Sequence, residues 1–112
     1  MTTLELSKEI AKILDSKKGV GIKIIGIEEI SSLTDYLIIA TGTSSTHVKA
    51  LAEEVEEELK KIGVAPTHIE GHRSNSWILI DYDNVIVHVF SEEARDFYDL
   101  EHLWKDGKEI EL

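Results

Sequence analysis

A glycine- and serine-rich turn and two closely spaced aspartates are the residues of this chain best suited to chemistry. Residues 41–45 read Thr-Gly-Thr-Ser-Ser ahead of a helical pattern, and one residue separates Asp81 from Asp83. A turn at a helix N-terminus can hold phosphate groups, and paired carboxylates can hold Mg²⁺. Asp83, however, falls at a predicted hairpin tip that directs it away from Asp81, and no basic cluster adjoins the turn. A nucleotidyltransferase-like enzyme is therefore the alternative interpretation, and a protein that is not an enzyme is the preferred one.

Metal and thiol chemistry have less support in the sequence. His68 and His72 are four residues apart, which would place both on one face of a helix, but Pro66 and Gly71 disfavour a helix there. No third ligand is obvious, and the chain contains no cysteine. We therefore expect no metal, no cofactor and no disulfide.

The charge of the chain favours a protein partner over nucleic acid. Twenty-two acidic residues oppose twelve basic ones, for a formal net charge of −10. Such a field repels phosphate and attracts basic proteins, although the same charge can serve solubility alone. We expect no DNA binding and at most a minor RNA contact through Lys17, Lys18 and Lys23. No apolar stretch is long enough to cross a membrane, and no signal or transit peptide is visible, which predicts a cytoplasmic location.

The hydrophobic patterning predicts one α/β domain over residues 1–112. Thr2 and Glu5 match a capping box, and Gly63 is placed to end the second long helix. Strands are predicted at residues 21–27, 36–40, 68–70, 77–82 and 85–90, and helices at 2–15, 46–62, 91–98 and 99–104. The fold class is α/β, a single-domain sandwich with a mixed β-sheet of about five strands flanked by helices. The polar residues 105–112 are expected to fray.

The predicted hairpin around Asp83-Asn84 separates two different sheet faces. A two-residue loop would set Tyr82 opposite Val85 and Ile80 opposite Val87 on an aliphatic face. The other face would carry Trp77, Leu79, Asp81, Ile86, His88 and Phe90. This mixed face is either a second core face beneath a helix or an exposed surface suited to a protein interface.

Several segments, taken in order, resemble the ribosomal silencing factor (RsfS, Iojap) family. Each is weak alone, but the ordered set is specific and spans Leu4 to about Trp104. The segments are Thr34-Asp35-Tyr36, residues 40–49, Glu70-Gly71, the strands 77–82 and 84–90, Arg95, Phe97-Tyr98, Leu100-Glu101 and Leu103-Trp104. Residues 72–76, His-Arg-Ser-Asn-Ser, match no fixed motif and receive no role.

The resemblance implies a fold related to nucleotidyltransferases but without their activity. It implies binding to ribosomal protein L-fourteen on the large ribosomal subunit, on the face that meets the small subunit. The bound factor would sterically block subunit association and so repress translation when nutrients are limiting. It also implies a homodimer when the protein is free.

Six residues are predicted to contact the partner or to support the contact. They are Trp77, Leu79, Asp81, Tyr82, His88 and Tyr98. A tryptophan at the centre would supply apolar burial, and carboxylates such as Asp81 would meet basic side chains. Tyr82 could equally be a core residue and Tyr98 could pack its own helix. His88 is expected to act as a hydrogen-bonded support.

Overall fold

The computed structural model describes residues 1–74 and 76–112, so Asn75, within the unassigned segment 72–76, lies outside the described residues. Ten elements follow one another in the described chain. They are α1 (Thr3–Ser16), β1 (Val20–Gly26), β2 (Tyr36–Gly42), α2 (Ser45–Lys61), β3 (His68–Glu70), β4 (Trp77–Asp81), β5 (Val85–Ser91), α3 (Glu92–Tyr98), α4 (Leu100–Leu103) and β6 (Lys108–Ile110).

The strands form one mixed sheet in the order β3-β4-β5-β2-β1-β6. Among the described strands, the central pair, β2 and β5, is parallel, and the other neighbours are antiparallel. The predicted mixed sheet flanked by helices is confirmed, with six strands where about five were predicted. The additional strand, β6, lies within residues 105–112, so the expected fraying is wrong for Lys108–Ile110. Its backbone pairs with β1, and Ile110 packs against the core.

The first long helix begins at the capping box that the sequence predicts, and the second begins within the predicted turn at residues 41–45. Thr2 and Glu5 form a capping box, in which the Glu5 N–H donates to Thr2 Oγ1 at 3.1 Å and the Thr2 N–H donates to Glu5 Oε1 at 2.8 Å. Ser44 caps α2 by accepting from the His47 N–H at 3.0 Å. Both helices pack their apolar stripes on one face of the sheet, and that interface forms the larger core cluster.

The β4–β5 hairpin has the predicted register and the predicted two faces. Ile78 pairs with Val89 and Ile80 with Val87, and these side chains are buried beneath α1 and α2. The Tyr82 N–H donates to the Val85 carbonyl at 2.8 Å, which leaves Asp83 and Asn84 at the tip. Tyr82 is 7% exposed and belongs to this same core.

A second, smaller core lies on the opposite face of the sheet. It contains Ile25, Ile27, Leu37, Ile39, Phe90 and Ala94, with Trp77, Ile86, Leu100 and Trp104 packed around it. The short helices α3 and α4 supply Ala94 and Leu100 to this cluster, so they cover part of the face. The mixed face of the hairpin is therefore neither a fully covered core nor a fully open surface.

Candidate functional site

Five aromatic side chains form a continuous layer where the hairpin meets α3. We call this layer, made of Trp77, His88, Phe90, Phe97 and Tyr98, the aromatic surface. The Trp77 ring lies 4.5 Å from Tyr98 and 5.1 Å from Phe90, and Phe97 meets Tyr98 edge-on at 5.1 Å, all between ring centroids. Such separations are typical of packed aromatic pairs. The five rings therefore act as one packed unit.

Exposure rises steadily across the aromatic surface. Phe90 is 1% exposed and His88 is 7% exposed, whereas Tyr98 is 48% and Phe97 is 81% exposed. Trp77 lies between these groups and is partly buried. Exposed aromatic rings that rest on a buried base form an apolar surface of the kind that is common at protein interfaces.

Trp77 and His88 are joined by a hydrogen bond that fixes both rings. Trp77 Nε1–H donates to His88 Nδ1 at 3.0 Å. An indole nitrogen can only donate, so Nδ1 must be unprotonated and the neutral imidazole carries its proton on Nε2. Burial lowers the pKa of His88 to about 4, so the ring is neutral near pH 7. His88 thus has the geometry of the support role that the sequence suggested.

The remaining predicted hairpin residues extend the layer along the sheet. Leu79 pairs with His88 and Asp81 with Ile86, so these residues share the face of Trp77. Leu79 is half-buried, and Asp81 accepts the Asp83 N–H at Oδ1, 2.7 Å away. Asp81 therefore supports the hairpin tip as well as placing a carboxylate beside the apolar face. Tyr82 points into the opposite core and is not part of the aromatic surface.

Phe97 and Leu103 stand in segments that carry the family resemblance, but they were not among the six predicted contact residues. They are 81% and 68% exposed, and both lie on the short helices beside Tyr98. Phe97 and Tyr98 are consecutive in a short helix, so they cannot both face the sheet. This spacing was the signal in the sequence that one of the two rings would be exposed. The same helix carries exposed Glu92, Glu93 and Asp96, so acidic groups lie along the apolar layer.

The residues of the enzyme alternative do not come together. Gly42 pairs with Ser91 at one end of β2, whereas Leu37, five residues earlier, pairs with Ile86, the cross-strand neighbour of Asp81. At about 3.3 Å per residue, the turn and the aspartates lie roughly 16 Å apart along the sheet. Glu92, Glu93 and Asp96 line the same pocket as the turn, and their carboxylates would repel a triphosphate. In residues 1–74 and 76–112, no three His, Cys, Asp or Glu side chains are grouped as a metal site requires.

Gly42 has a packing reason to be glycine that is independent of phosphate binding. A Cβ atom there would lie 2.7 Å from the Val48 backbone nitrogen and 2.9 Å from its Cα. Because these atoms belong to the first turns of α2, β2 and α2 must separate to admit a methyl group. We predict that Gly42→Ala lowers the free energy of unfolding by about 1–2 kcal/mol, as overpacking does. Urea denaturation measures this, and unchanged stability in Gly42→Ala would show that the contact with α2 is not tight.

The two histidines considered for metal binding do not share a helix. His68 lies in β3, where its Nε2 is 3.1 Å from Glu70 Oε1. His72 follows Gly71, whose φ of +73° turns the chain. The predicted absence of a helix over these residues is confirmed.

The lysines considered for rRNA contact have different surroundings. Lys17 and Lys18 are exposed in the turn after α1. Lys23 Nζ lies 3.0 Å from Glu101 Oε2 and so forms an ion pair within the protein.

None of the helices in the described part of the chain has the length and apolar character of a membrane span.

Comparison with known proteins gives a consistent set of relatives. The family model "Ribosomal silencing factor during starvation" matches residues 1–112. The ribosomal silencing factor RsfS of Chromobacterium violaceum is 41% identical over 108 residues, covering 96% of this chain and 88% of the relative. That of Bacillus subtilis is 33% identical over 112 residues, covering 100% and 95%. A crystal structure of a Chromobacterium violaceum protein superposes with a TM-score of 0.91 at 39% identity, covering 100% of this chain and 92% of that one.

Proposed function

The chain belongs to the ribosomal silencing factor family, and from that premise we propose that it binds ribosomal protein L-fourteen on the large ribosomal subunit. Bound there, it blocks association with the small subunit and represses translation under nutrient limitation. The observation that carries the proposal is the aromatic surface, whose exposed rings rest on a buried base. A family of binding factors needs an anchor of this kind and needs no reaction centre.

Trp77 has the best position for the anchor of this interface. It lies between buried Phe90 and exposed Tyr98, and His88 fixes its indole. Side chains held in one orientation lose little entropy on binding, so more of their apolar burial appears as affinity. Leu79, which pairs with His88, and Phe97, which packs against Tyr98, enlarge the apolar area around this centre. Tyr82 can contribute only indirectly, by supporting the hairpin from the opposite core.

The charges around the aromatic surface favour a basic partner. Asp81 and Asp83 lie at the hairpin tip, and Glu92, Glu93 and Asp96 are on α3. Together with a formal net charge of −10, these groups would speed encounter with a basic protein surface and oppose binding to exposed RNA. A minor rRNA contact is then confined to Lys17 and Lys18, and no DNA or membrane is involved.

Steric exclusion is sufficient as the mechanism, and it uses no cofactor. The domain measures 34 × 33 × 24 Å. Even its smallest dimension greatly exceeds the roughly 3 Å of a hydrogen bond, so a subunit surface covered by the domain cannot contact its partner. We propose that this occurs in the cytoplasm, and that the free protein is a homodimer.

Co-sedimentation with isolated large ribosomal subunits tests the proposed function. The wild-type protein should sediment with large subunits and remain in the supernatant with small subunits. Purified L-fourteen, added in excess, should compete with the large subunit for the protein. Equal recovery with both subunits, or no effect of the competitor, would contradict the proposed partner.

A further inference from the structure

We propose that Arg95 is a positioning residue: its guanidinium fixes the elbow between α3 and α4 and so holds Tyr98 and Phe97 in the orientation that partner binding requires. This inference rests on the proposed function of the aromatic surface. It assigns a role to a charged side chain that does not belong to that surface. We call Arg95, Glu101, Lys23, Thr41 and the Val20 carbonyl the Arg95 network.

The guanidinium connects three separate parts of the fold. Arg95 Nε donates to Glu101 Oε1 at 2.8 Å, across the elbow to α4. Its Nη1 donates to Thr41 Oγ1 at 2.9 Å on β2 and to the Val20 carbonyl at 3.4 Å on β1. The Arg95 side chain is only 14% exposed, and its bonds to Glu101 and Thr41 are partly buried, whereas the bond to the Val20 carbonyl is exposed. Hydrogen bonds to a charged group are stronger than neutral ones.

Glu101 anchors the other side of the elbow to the sheet. One carboxylate oxygen accepts from Arg95, and the other lies 3.0 Å from Lys23 Nζ on β1. The hydrogen bond from Arg95 lowers the pKa of Glu101 to about 2, with a smaller contribution from Lys23. The carboxylate is therefore charged at all physiological pH values.

The backbone of β1 leaves room for the guanidinium. Gly21 has a φ of +57°, and a Cβ atom there would lie 2.7 Å from Arg95 Nη1. A side chain at this position would push the guanidinium away from Thr41 and Val20. Glycine therefore suits position 21 for two reasons: it adopts the positive φ readily, and it leaves space for the guanidinium.

The elbow needs such ties because its helices are too short to hold their own orientation. α3 has seven residues and α4 has four, whereas isolated helices of fewer than about 12 residues are marginal in water. Asp99 between them adopts left-handed φ and ψ angles of 47° and 52°, which a non-glycine residue adopts at some cost. Phe97 and Tyr98 immediately precede this point. If the Arg95 network is broken, the Tyr98 ring can leave Trp77 together with Phe97, which packs against Tyr98, and binding must then reorder both rings.

The test compares Arg95→Met with the wild type and with Lys61→Met. The control removes the same charge and breaks an ion pair, Lys61 with Glu58, on the opposite side of the sheet. We expect Arg95→Met to weaken binding to large subunits about tenfold. Nuclear Overhauser contacts between the Trp77 and Tyr98 rings should weaken in Arg95→Met only. Loss of thermal stability alone would not produce this pattern at temperatures well below melting.

Glu101→Gln is the second variant, because it keeps an oxygen acceptor for Arg95 while removing the charge. We expect Glu101→Gln to retain the fold and to weaken binding by less than Arg95→Met. If Arg95→Met does not fold, Glu101→Gln alone tests the positioning role. Full affinity in a folded Arg95→Met or in Glu101→Gln, with ring contacts unchanged, would overturn the positioning role. Trp77→Ala in the same assay separates the two proposals. If it binds like the wild type, the proposed surface is wrong, and if it alone loses binding, only the role of Arg95 is wrong.

Discussion

Replacing Trp77 by alanine should weaken binding to large ribosomal subunits at least 30-fold, which corresponds to about 2 kcal/mol. The indole contacts Phe90 and Tyr98 and is held by His88, so truncation removes the centre of the apolar layer. It also leaves Tyr98 without the ring against which it packs. Because Trp77 is partly exposed and lies outside the larger core, the domain should remain folded.

Co-sedimentation titrations with large subunits, paired with circular-dichroism melts, measure this effect. Ile62→Ala is the control, since Ile62 is 52% exposed at the end of α2, on the other side of the sheet. Trp77→Phe tests the hydrogen bond separately, because it keeps a ring but removes the donor to His88. Wild-type affinity in Trp77→Ala would remove this residue from the interface.

Acidification should destabilise the protein through His88. Burial lowers the pKa of its imidazole from 6.5 to about 4 in the folded state. The unfolded chain therefore takes up a proton at this residue as the pH falls below about 6.5, while the folded chain remains neutral until about pH 4. The stabilisation that the neutral imidazole provides is therefore complete above about pH 6.5 and is lost as the pH falls towards 4. Since one pKa unit corresponds to about 1.4 kcal/mol, the whole loss is about 3 kcal/mol.

Urea denaturation at pH 7 and pH 5.5 isolates this effect from that of Glu101. The pKa of Glu101 is lowered to about 2. The stability that its carboxylate provides therefore changes only below the ordinary glutamate pKa of 4.5, which is below both measured pH values. The wild type should lose about 1 kcal/mol more than His88→Gln between these pH values. Gln can still accept from the Trp77 indole but does not titrate. Equal losses in the two proteins would show that His88 titrates normally.

The hairpin shows how much of the fold local sequence determines. A two-residue tip at Asp83-Asn84 fixes the register, and alternation then assigns every side chain of β4 and β5 to one face. The capping residues Thr2 and Ser44 likewise mark the starts of α1 and α2. These features depend on neighbours along the chain, which the sequence displays directly.

Features that depend on distant residues could not be read in the same way. β6 contains one apolar residue, Ile110, and becomes a strand because β1 offers an open edge. Arg95 contacts residues 54 and 75 positions away, which no local pattern reveals. The degree to which α3 and α4 cover the second face was also undetermined, and with it the exposure of Phe97 and Leu103. The site was thus partly predictable through Trp77, His88 and Tyr98, but its support was not.

A subunit-joining assay tests the central proposal most directly. Purified small and large ribosomal subunits are mixed under associating conditions with increasing amounts of the protein, and joined ribosomes are quantified by light scattering. The account predicts that joining declines in proportion to the large subunits occupied, and that Trp77→Ala at the same concentration has little effect. Normal joining at concentrations that saturate the large subunit would contradict it.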